Sequence, residues 1–158
     1  MTDPHEPLSR RQLDMLAALP ADVPVVMLNQ LRFRDRAAYP PEETVCSGRE
    51  AYRRYSQVAL QAISRIGGSV IFSGRPGASL IGPEDEIWHA VFLVRYPSVD
   101  AFRSMLAMPG YRAAVRHRTA AIEDSRLIPI MPAMADGFGL PARQSAGARA
   151  AANNGDHE

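Results

Sequence analysis

The stretch "SGREAYRRYSQVALQAISRIGGSVIFSGRP", residues 47–76, contains one complete helix followed by a strand. Ser47 and Glu50 have the spacing of a capping box, in which each side chain accepts a hydrogen bond from the other residue's backbone amide. Gly67 and Gly68 supply a left-handed helix stop, and "SVIFSGRP" follows as a short strand. Between these signals, apolar residues recur at three- and four-residue steps and form one stripe: Tyr52, Tyr55, Ala59, Ala62, Ile63 and Ile66.

The elements on either side complete a known pattern. A second helix is expected after Ser98, and "MPG" (108–110) should break it before it continues from Tyr111. A short leading helix is expected after Ser9. The order strand, helix, strand, strand, helix, strand predicts an α+β, ferredoxin-like βαββαβ fold: a four-stranded antiparallel sheet with two helices on one face, here with an extra N-terminal helix. The other strands are predicted at "VPVVMLNQLRF" (23–33), "DEIWHAVFLVRYPS" (85–98) and "RLIPIMP" (126–132).

The strands are apolar on both sides, as "VVML", "VFLV" and "LIPIM" show. Two helices can cover only one face of such a sheet. The other face must also be buried, most simply by the same sheet of a second copy in an isologous dimer. The sequence therefore predicts a homodimer.

Length and composition limit the domain organisation. A chain of 158 residues, 46% of them hydrophobic, is expected to form one domain, over residues 9–132. Residues 1–8 and 133–158 contain few large apolar side chains, so we expect both ends to be disordered. No apolar run approaches the roughly 18 residues of a membrane span, and the first residues are polar, which predicts a soluble, cytoplasmic protein.

Charge and rare residues exclude several kinds of chemistry. The net charge is +1 and no basic stripe with aromatics is present, which argues against a nucleic-acid partner. All basic residues except the histidines are arginines, so lysine chemistry, Schiff bases included, is excluded. Cys46 is the single cysteine, which rules out an intramolecular disulfide or a thiolate cluster. No two-histidine spacing points to a metal site, and no cofactor is expected.

The chain resembles the dimeric α/β-barrel proteins of ferredoxin-like fold, and within them domain-of-unknown-function family thirteen-thirty in its longer form. The resemblance covers residues 24–130 and is carried by "PVVMLNQLRFR", "SGREAYRRY", "GG.V...GR", "W..AVFLVRYPS" and "F..M...PGY...V.HRTAAIEDSRLI". It implies the fold but no reaction. Related families use the cavity between helices and sheet: some are cofactor-free oxygenases, isomerases or lyases, some bind haem, and some only bind small molecules. The resemblance thus implies that this cavity is the site.

Five residues outside the last helix are candidate ligand contacts. Asn29 shares a strand face with apolar residues, so its buried amide needs a partner, which we expect to be backbone, a second copy or ligand. Arg32 lies on the opposite face, where it can also simply reach the rim. Tyr52 and Tyr55 are on the helix stripe, as core or as ligand contacts. Trp88, in phase with the more apolar set of its strand, is expected on the helix side.

His117 and Arg118 are the candidate catalytic pair. Arg118 is in phase with the apolar stripe of its helix, so its guanidinium is expected to be partly buried and to need a carboxylate, from Glu123, Asp124 or a ligand. His117 has the chemistry of a general acid or base at neutral pH. The alternative is that "HRTAAIEDSR" (117–126) is only an ion-paired helix end.

The sequence therefore predicts a homodimer whose subunits each bind a small anionic or phenolic organic molecule, with the loop over residues 34–47 as a cover. Whether it is an enzyme stays open. If it is one, we expect a cofactor-independent reaction in which His117 moves a proton and Arg118 holds a carboxylate or enolate. The alternatives are a non-catalytic ligand-binding or stress-associated dimer and, as a weaker reading, a haem-binding, monooxygenase-like protein built on Asn29, Trp88 and His117.

Overall fold

The computed structural model describes residues 7–43 and 45–132. Most of the two ends predicted to be disordered, residues 1–6 and 133–158, lie outside the described residues. Pro7 and Leu8 are described, and Leu8 packs against the main hydrophobic core. The described residues thus begin two positions before the predicted start of the domain at residue 9.

The predicted α+β, ferredoxin-like fold is confirmed. Every strand pairing is antiparallel, and the strand order is β2-β3-β1-β4, with the first and third strands in the centre. This is the arrangement that the split βαβ pattern dictates. The elements in chain order are α1 (Arg10–Ala17), β1 (Val25–Phe33), α2 (Gly48–Arg65), β2 (Ser69–Gly74), β3 (Ala90–Tyr96), α3 (Val99–Leu106), α4 (Pro109–Ala121) and β4 (Ile122–Ile130).

Helix starts follow the predicted serines. The side chains of Ser9, Ser47 and Ser98 each accept a hydrogen bond from the amide three residues on, which satisfies a helix donor that would otherwise lack a partner. The predicted capping box at Ser47 is only half formed. Glu50 does not reach back to the Ser47 amide, because its carboxylate pairs with Arg53 one turn further along, at 2.5 Å.

Two boundaries differ from the sequence prediction. β3 begins at Ala90, so Trp88 and His89 precede the strand instead of lying within it. β4 begins at Ile122, directly after α4, so residues 123–126 belong to a strand and not to an ion-paired helix end. The helix can end this abruptly because the amides of Arg34 and Ala38 hydrogen-bond the carbonyls of Ala121 and Ala120, which satisfies its terminal acceptors.

The core lies between the helices and one face of the sheet, here called the inner face. Its largest fully buried side chains include Met27 and Leu31 of β1, Val94 of β3 and Met105 of α3. Side chains at alternate strand positions share a face, so Asn29, between Met27 and Leu31, also points to the inner face, as predicted.

The opposite, outer face of the sheet carries an apolar row that crosses all four strands. The strand registers pair Phe72 with Leu93, Leu93 with Leu28, and Leu28 with Ile128. Phe72 is 58% exposed and Ile128 is 44% exposed, and no element among the described residues covers them. β2 is exposed along its whole length. The monomer therefore presents the uncovered second face that the apolar strands predicted.

Candidate functional site

A cavity of about 330 Å³ lies between the inner face of the sheet and the helices. Its size is at the lower end of the range for small-molecule sites. Residues 7–19, including α1, close one side of it and contribute Pro7, Leu8, Gln12, Met15, Leu16 and Leu19. The sheet contributes Asn29, Ser125 and Leu127 among others, and the helices contribute Tyr55, Phe102, Leu106, Tyr111 and Arg118.

Arg118 lines this cavity as its one charged side chain among the described residues. Within the described chain, its guanidinium donates one hydrogen bond, to the Ser125 hydroxyl at 3.3 Å. The carboxylates that the sequence suggested as partners are paired elsewhere, since Glu123 lies 3.1 Å from Arg32 and Asp124 lies 2.6 Å from Arg126. On β4, alternation places Asp124 with Arg126 on the outer face, and the strand register shifts beside Glu123, between Arg32 and Phe33, where Glu123 pairs with Arg32. Arg118 therefore has no carboxylate partner within the described chain.

Two buried tyrosines form the second polar feature of the cavity. The hydroxyls of Tyr55 and Tyr111 are 2.8 Å apart and hydrogen-bond each other, and the two rings meet edge to face. Burial raises the pKa of both hydroxyls, and the nearby Arg118 guanidinium offsets only part of that increase. Both tyrosines are therefore neutral near pH 7, where they can donate hydrogen bonds but cannot act as bases.

Asn29 is held in place by its own strand. Its side-chain amide donates to the Met27 carbonyl at 3.1 Å, which uses one of its two N–H groups. The amide oxygen and the second N–H are left for the cavity. Asn29, Tyr55 and Arg118 are thus the three predicted site residues that the structure brings together.

His117 lies outside the cavity lining, although it is adjacent in sequence to Arg118. Neighbouring helix residues point about 100° apart, so α4 directs Arg118 inward and His117 toward the loop over residues 34–47. There His117 Nδ1 is 2.5 Å from the Tyr39 hydroxyl. The Tyr39 ring in turn lies near the guanidinium groups of Arg54 and Arg116. The predicted pair is therefore divided between two places in the fold.

The surroundings of His117 favour a neutral imidazole. Partial burial lowers its pKa below the usual value, Arg116 and Arg54 lower it further, and Glu43 opposes them. In the neutral ring Nδ1 can accept the proton of the Tyr39 hydroxyl, which a protonated ring cannot do. Because its pKa is lowered in the folded protein, the His117 ring takes up a second proton more readily in the unfolded chain than in the folded chain.

We expect stability to fall with acid through His117. The contribution of the neutral ring is fully present above the ordinary histidine pKa of about 6.5, and it is lost as the pH falls through the lower folded-state pKa. Urea unfolding of the native protein and of H117Q between about pH 7.5 and 5 measures this. The native protein should lose more stability than H117Q over that range, and parallel curves would contradict the assignment.

The other predicted site residues lie elsewhere. Trp88 is not on the helix side: its ring lies 5.1 Å from the guanidinium of Arg126, whose strand register places it on the outer face. The prediction was wrong because alternation does not apply before β3 begins. Arg32, also on the outer face, pairs with Glu123. Tyr52 packs between Phe33 and Tyr55 without lining the cavity.

The described residues of the predicted covering loop, 34–43 and 45–47, do not line the cavity. Amides of this loop hydrogen-bond the carboxyl end of α4, and Ala37 is buried against Ala51 and Ala120. The cavity is covered instead by residues 7–19, which sequence reasoning did not treat as part of the site. The apolar spacing of that segment was visible in the sequence, but nothing in it indicates which surface the segment covers.

Tyr111 and Ser125 are two hydrogen-bonding site residues that sequence reasoning missed. Tyr111 was recognised on the inner side of its helix, but nothing singled out its hydroxyl. Ser125 lies two residues before Leu127 on β4 and therefore shares its sheet face. A correct strand assignment would have placed Ser125 on the inner face.

Fold and cavity define an α+β protein of ferredoxin-like topology with a cavity between the sheet and the helices. The chain belongs to the family described as Domain of unknown function (DUF1330), whose sequence model matches residues 42–131. The first β-strand and α1 precede the matched segment. Since α1 forms part of the cavity wall, the site includes residues outside that match.

Among solved structures, the chain is similar to the RPA0582 protein of unknown function from Rhodopseudomonas palustris. The identity is 44% over 80% of this chain and 95% of that one, with a TM-score of 0.74. A structure of the methylated RPA0582 protein gives 42% identity over 82% and 96% of the chains and a TM-score of 0.76. A dimeric protein of unknown function and ferredoxin-like fold from Bacteroides fragilis is 14% identical over 71% and 99%, with a TM-score of 0.44. No curated protein matches the chain.

Two further findings concern the described residues alone. Over residues 7–43 and 45–132, no helix combines the length and the hydropathy that crossing a bilayer requires. In that same part of the chain, no three His, Cys, Asp or Glu side chains come close enough to hold a metal ion.

Proposed function

We propose that this protein binds a small organic molecule, anionic or phenolic, in the cavity between its sheet and helices, one per subunit of a homodimer. The observation that carries the proposal is Arg118, a cationic side chain that lines a partly open, mostly apolar cavity and has no carboxylate partner in the described chain. A partly buried charge without a counter-charge is costly, and an anionic ligand relieves that cost.

The homodimer is supported by the outer face of the sheet. A four-strand apolar row and a fully exposed edge strand are unfavourable in a monomer, and a second copy can cover both without new sequence features.

Binding without acid–base chemistry is the activity that the cavity geometry favours. Its titratable lining groups in the described chain are tyrosines, whose raised pKa values keep them protonated, and Arg118. None of these can remove a proton from a ligand at neutral pH. An enzyme based on His117 would have to work beside Tyr39, away from the cavity, so the non-catalytic ligand-binding dimer is the better supported of the two functions.

The proposal is tested by closing the cavity. Leu127 lines it from β4, so L127W should fill part of the space, whereas L60W places the same ring on the exposed side of α2. Three fluorinated probes share one ring and are observed by fluorine NMR: para-fluorobenzyl alcohol, para-fluorophenol and para-fluorobenzoate. We expect at least one to bind the native protein and L60W and to lose roughly tenfold or more in affinity in L127W.

The control separates a blocked cavity from a general effect of the added ring. Equal affinity in L127W and L60W would contradict binding in this cavity, and so would the absence of binding by all three probes. Native mass spectrometry of the freshly purified protein adds a direct observation, since a copurified molecule should be present in L60W and absent from L127W.

A further inference from the structure

We infer that the cavity selects a monocarboxylate with an apolar body, whose carboxylate binds Arg118 and Ser125 and whose apolar part lies beneath α1. This inference rests on the proposed function and narrows its anionic or phenolic ligand to one chemical class. It follows from three properties of the wall: its charge, its balance of hydrogen-bond donors and acceptors, and the separation of its polar and apolar parts.

The single positive charge of the cavity wall favours a ligand with one negative charge. Arg118 is its single charged group in the described chain, and the nearby carboxylates are already occupied by Arg32 and Arg126. A monocarboxylate neutralises one guanidinium and matches its planar pair of donors with two oxygens. A phosphate dianion would leave excess negative charge in the same mostly apolar cavity. A phenol ionises only near pH 10, as tyrosine does, and would leave the arginine charge without a counter-charge at neutral pH.

Donors outnumber acceptors on the polar part of the wall. Arg118 has several N–H groups and uses one, on Ser125. The hydroxyls of Tyr55 and Tyr111 bring two protons and use one in their mutual hydrogen bond. Asn29 keeps one free N–H after bonding Met27. A carboxylate has only acceptors when ionised, so it satisfies this excess, whereas an alcohol or an amide would bring further donors.

The apolar part of the wall is made by other elements. Leu8, Leu16 and Leu19 of the leading segment and Phe102 and Leu106 of α3 line the cavity, and none of them offers a side-chain hydrogen bond. Most polar groups come from the sheet, α2 and α4, and the one polar side chain that α1 contributes is Gln12, whose amide oxygen accepts a hydrogen bond from the Ser9 amide. A ligand that satisfies both parts therefore has a charged end and an apolar end, which an inorganic anion lacks.

The experiment compares the three fluorinated probes on the native protein and on arginine variants. R118Q removes the charge, R118K keeps the charge but loses the paired donors, and R116Q removes an exposed arginine two positions away that is bonded to Glu43. We expect para-fluorobenzoate to bind the native protein at least tenfold more tightly than para-fluorophenol or para-fluorobenzyl alcohol. Its affinity should fall roughly tenfold to a hundredfold in R118Q, less in R118K, and stay unchanged in R116Q.

The outcomes separate this inference from the proposed function. If the phenol or the alcohol binds as tightly as the benzoate, and L127W abolishes that binding, the cavity binds small molecules but the carboxylate inference is overturned. If benzoate binding falls equally in R116Q and R118Q, the anion binds the arginine-rich surface and the inference is again overturned. Circular dichroism identifies a variant that fails to fold, and S125A, which removes only the hydroxyl bonded to Arg118, then decides: it should weaken benzoate but not alcohol binding, and unchanged benzoate affinity would overturn the inference.

Discussion

Replacing Gly48 with alanine should destabilise the fold by about 3 kcal/mol or more, because the space for a Cβ is occupied by backbone. Gly48 is the first residue of α2, and a Cβ there would lie 2.5 Å from the Ala121 carbonyl oxygen and closer still to the Arg34 carbonyl oxygen. Neither neighbour is a side chain that can rotate away. The Gly48 amide also donates to the Arg34 carbonyl, so the substitution strains the contact where loop, α2 and α4 meet.

The measurement is urea or thermal unfolding of G48A beside G110A. Gly110 is the second residue of α4, and nothing lies within 4 Å of a Cβ added there. G110A should be neutral or stabilise by up to about 1 kcal/mol, since alanine is the better helix former. G48A should lower the melting temperature by on the order of 10 °C. Equal stability of the two variants would contradict the close approach of the Arg34 and Ala121 backbone to Gly48.

Replacing Leu93 with aspartate should convert the proposed dimer to a monomer. Leu93 lies in the centre of the outer-face row, paired with Leu28 on one side and with Phe72 on the other. In an isologous dimer each substitution occurs twice in one interface, and each would bury a carboxylate without a partner. We expect the dissociation constant to rise at least ~100-fold, which corresponds to about 2.7 kcal/mol.

The matched control for L93D is L60D, which changes a leucine that is 51% exposed on α2, in the helix layer. Size-exclusion chromatography with light scattering over a range of protein concentrations gives the mass of each variant. L60D should remain a dimer like the native protein, and L93D should elute as a folded monomer. A native protein that is monomeric at every concentration, or an L93D variant that stays dimeric, would contradict the proposed interface.

Much of the fold could be predicted from local signals. The serine caps at residues 9, 47 and 98, the stop at Gly67 and the break at Pro109 all act within a few residues of the chain, where sequence and structure are directly related. Asn29 and Arg118 could be placed facing inward because helix and strand periodicities hold within regular elements. These two residues, with Tyr55, are the predicted part of the candidate site.

Some residues predicted for the site lie elsewhere in the structure, and their positions depend on contacts between segments that are distant in the sequence. Trp88 was misplaced because its strand begins at Ala90, five residues after the predicted start and two residues after Trp88. His117 was paired with Arg118 because they are adjacent, yet Tyr39, far away in the sequence, determines where its ring lies. The carboxylates offered to Arg118 turn toward Arg32 and Arg126 because the chain enters β4 at Ile122.

The sequence by itself determined the order of helices and strands, the antiparallel sheet and the apolar character of both sheet faces, since these depend on periodicity and capping within short segments. Only the tertiary structure decided which side chains share the cavity, that residues 7–19 close it, and that Arg118 has no carboxylate within the described chain. The physical reason is that ion pairs and cavity contacts depend on distances between residues that are far apart in the sequence. Loops and strand ends determine those distances, and they have no sequence periodicity from which to predict them.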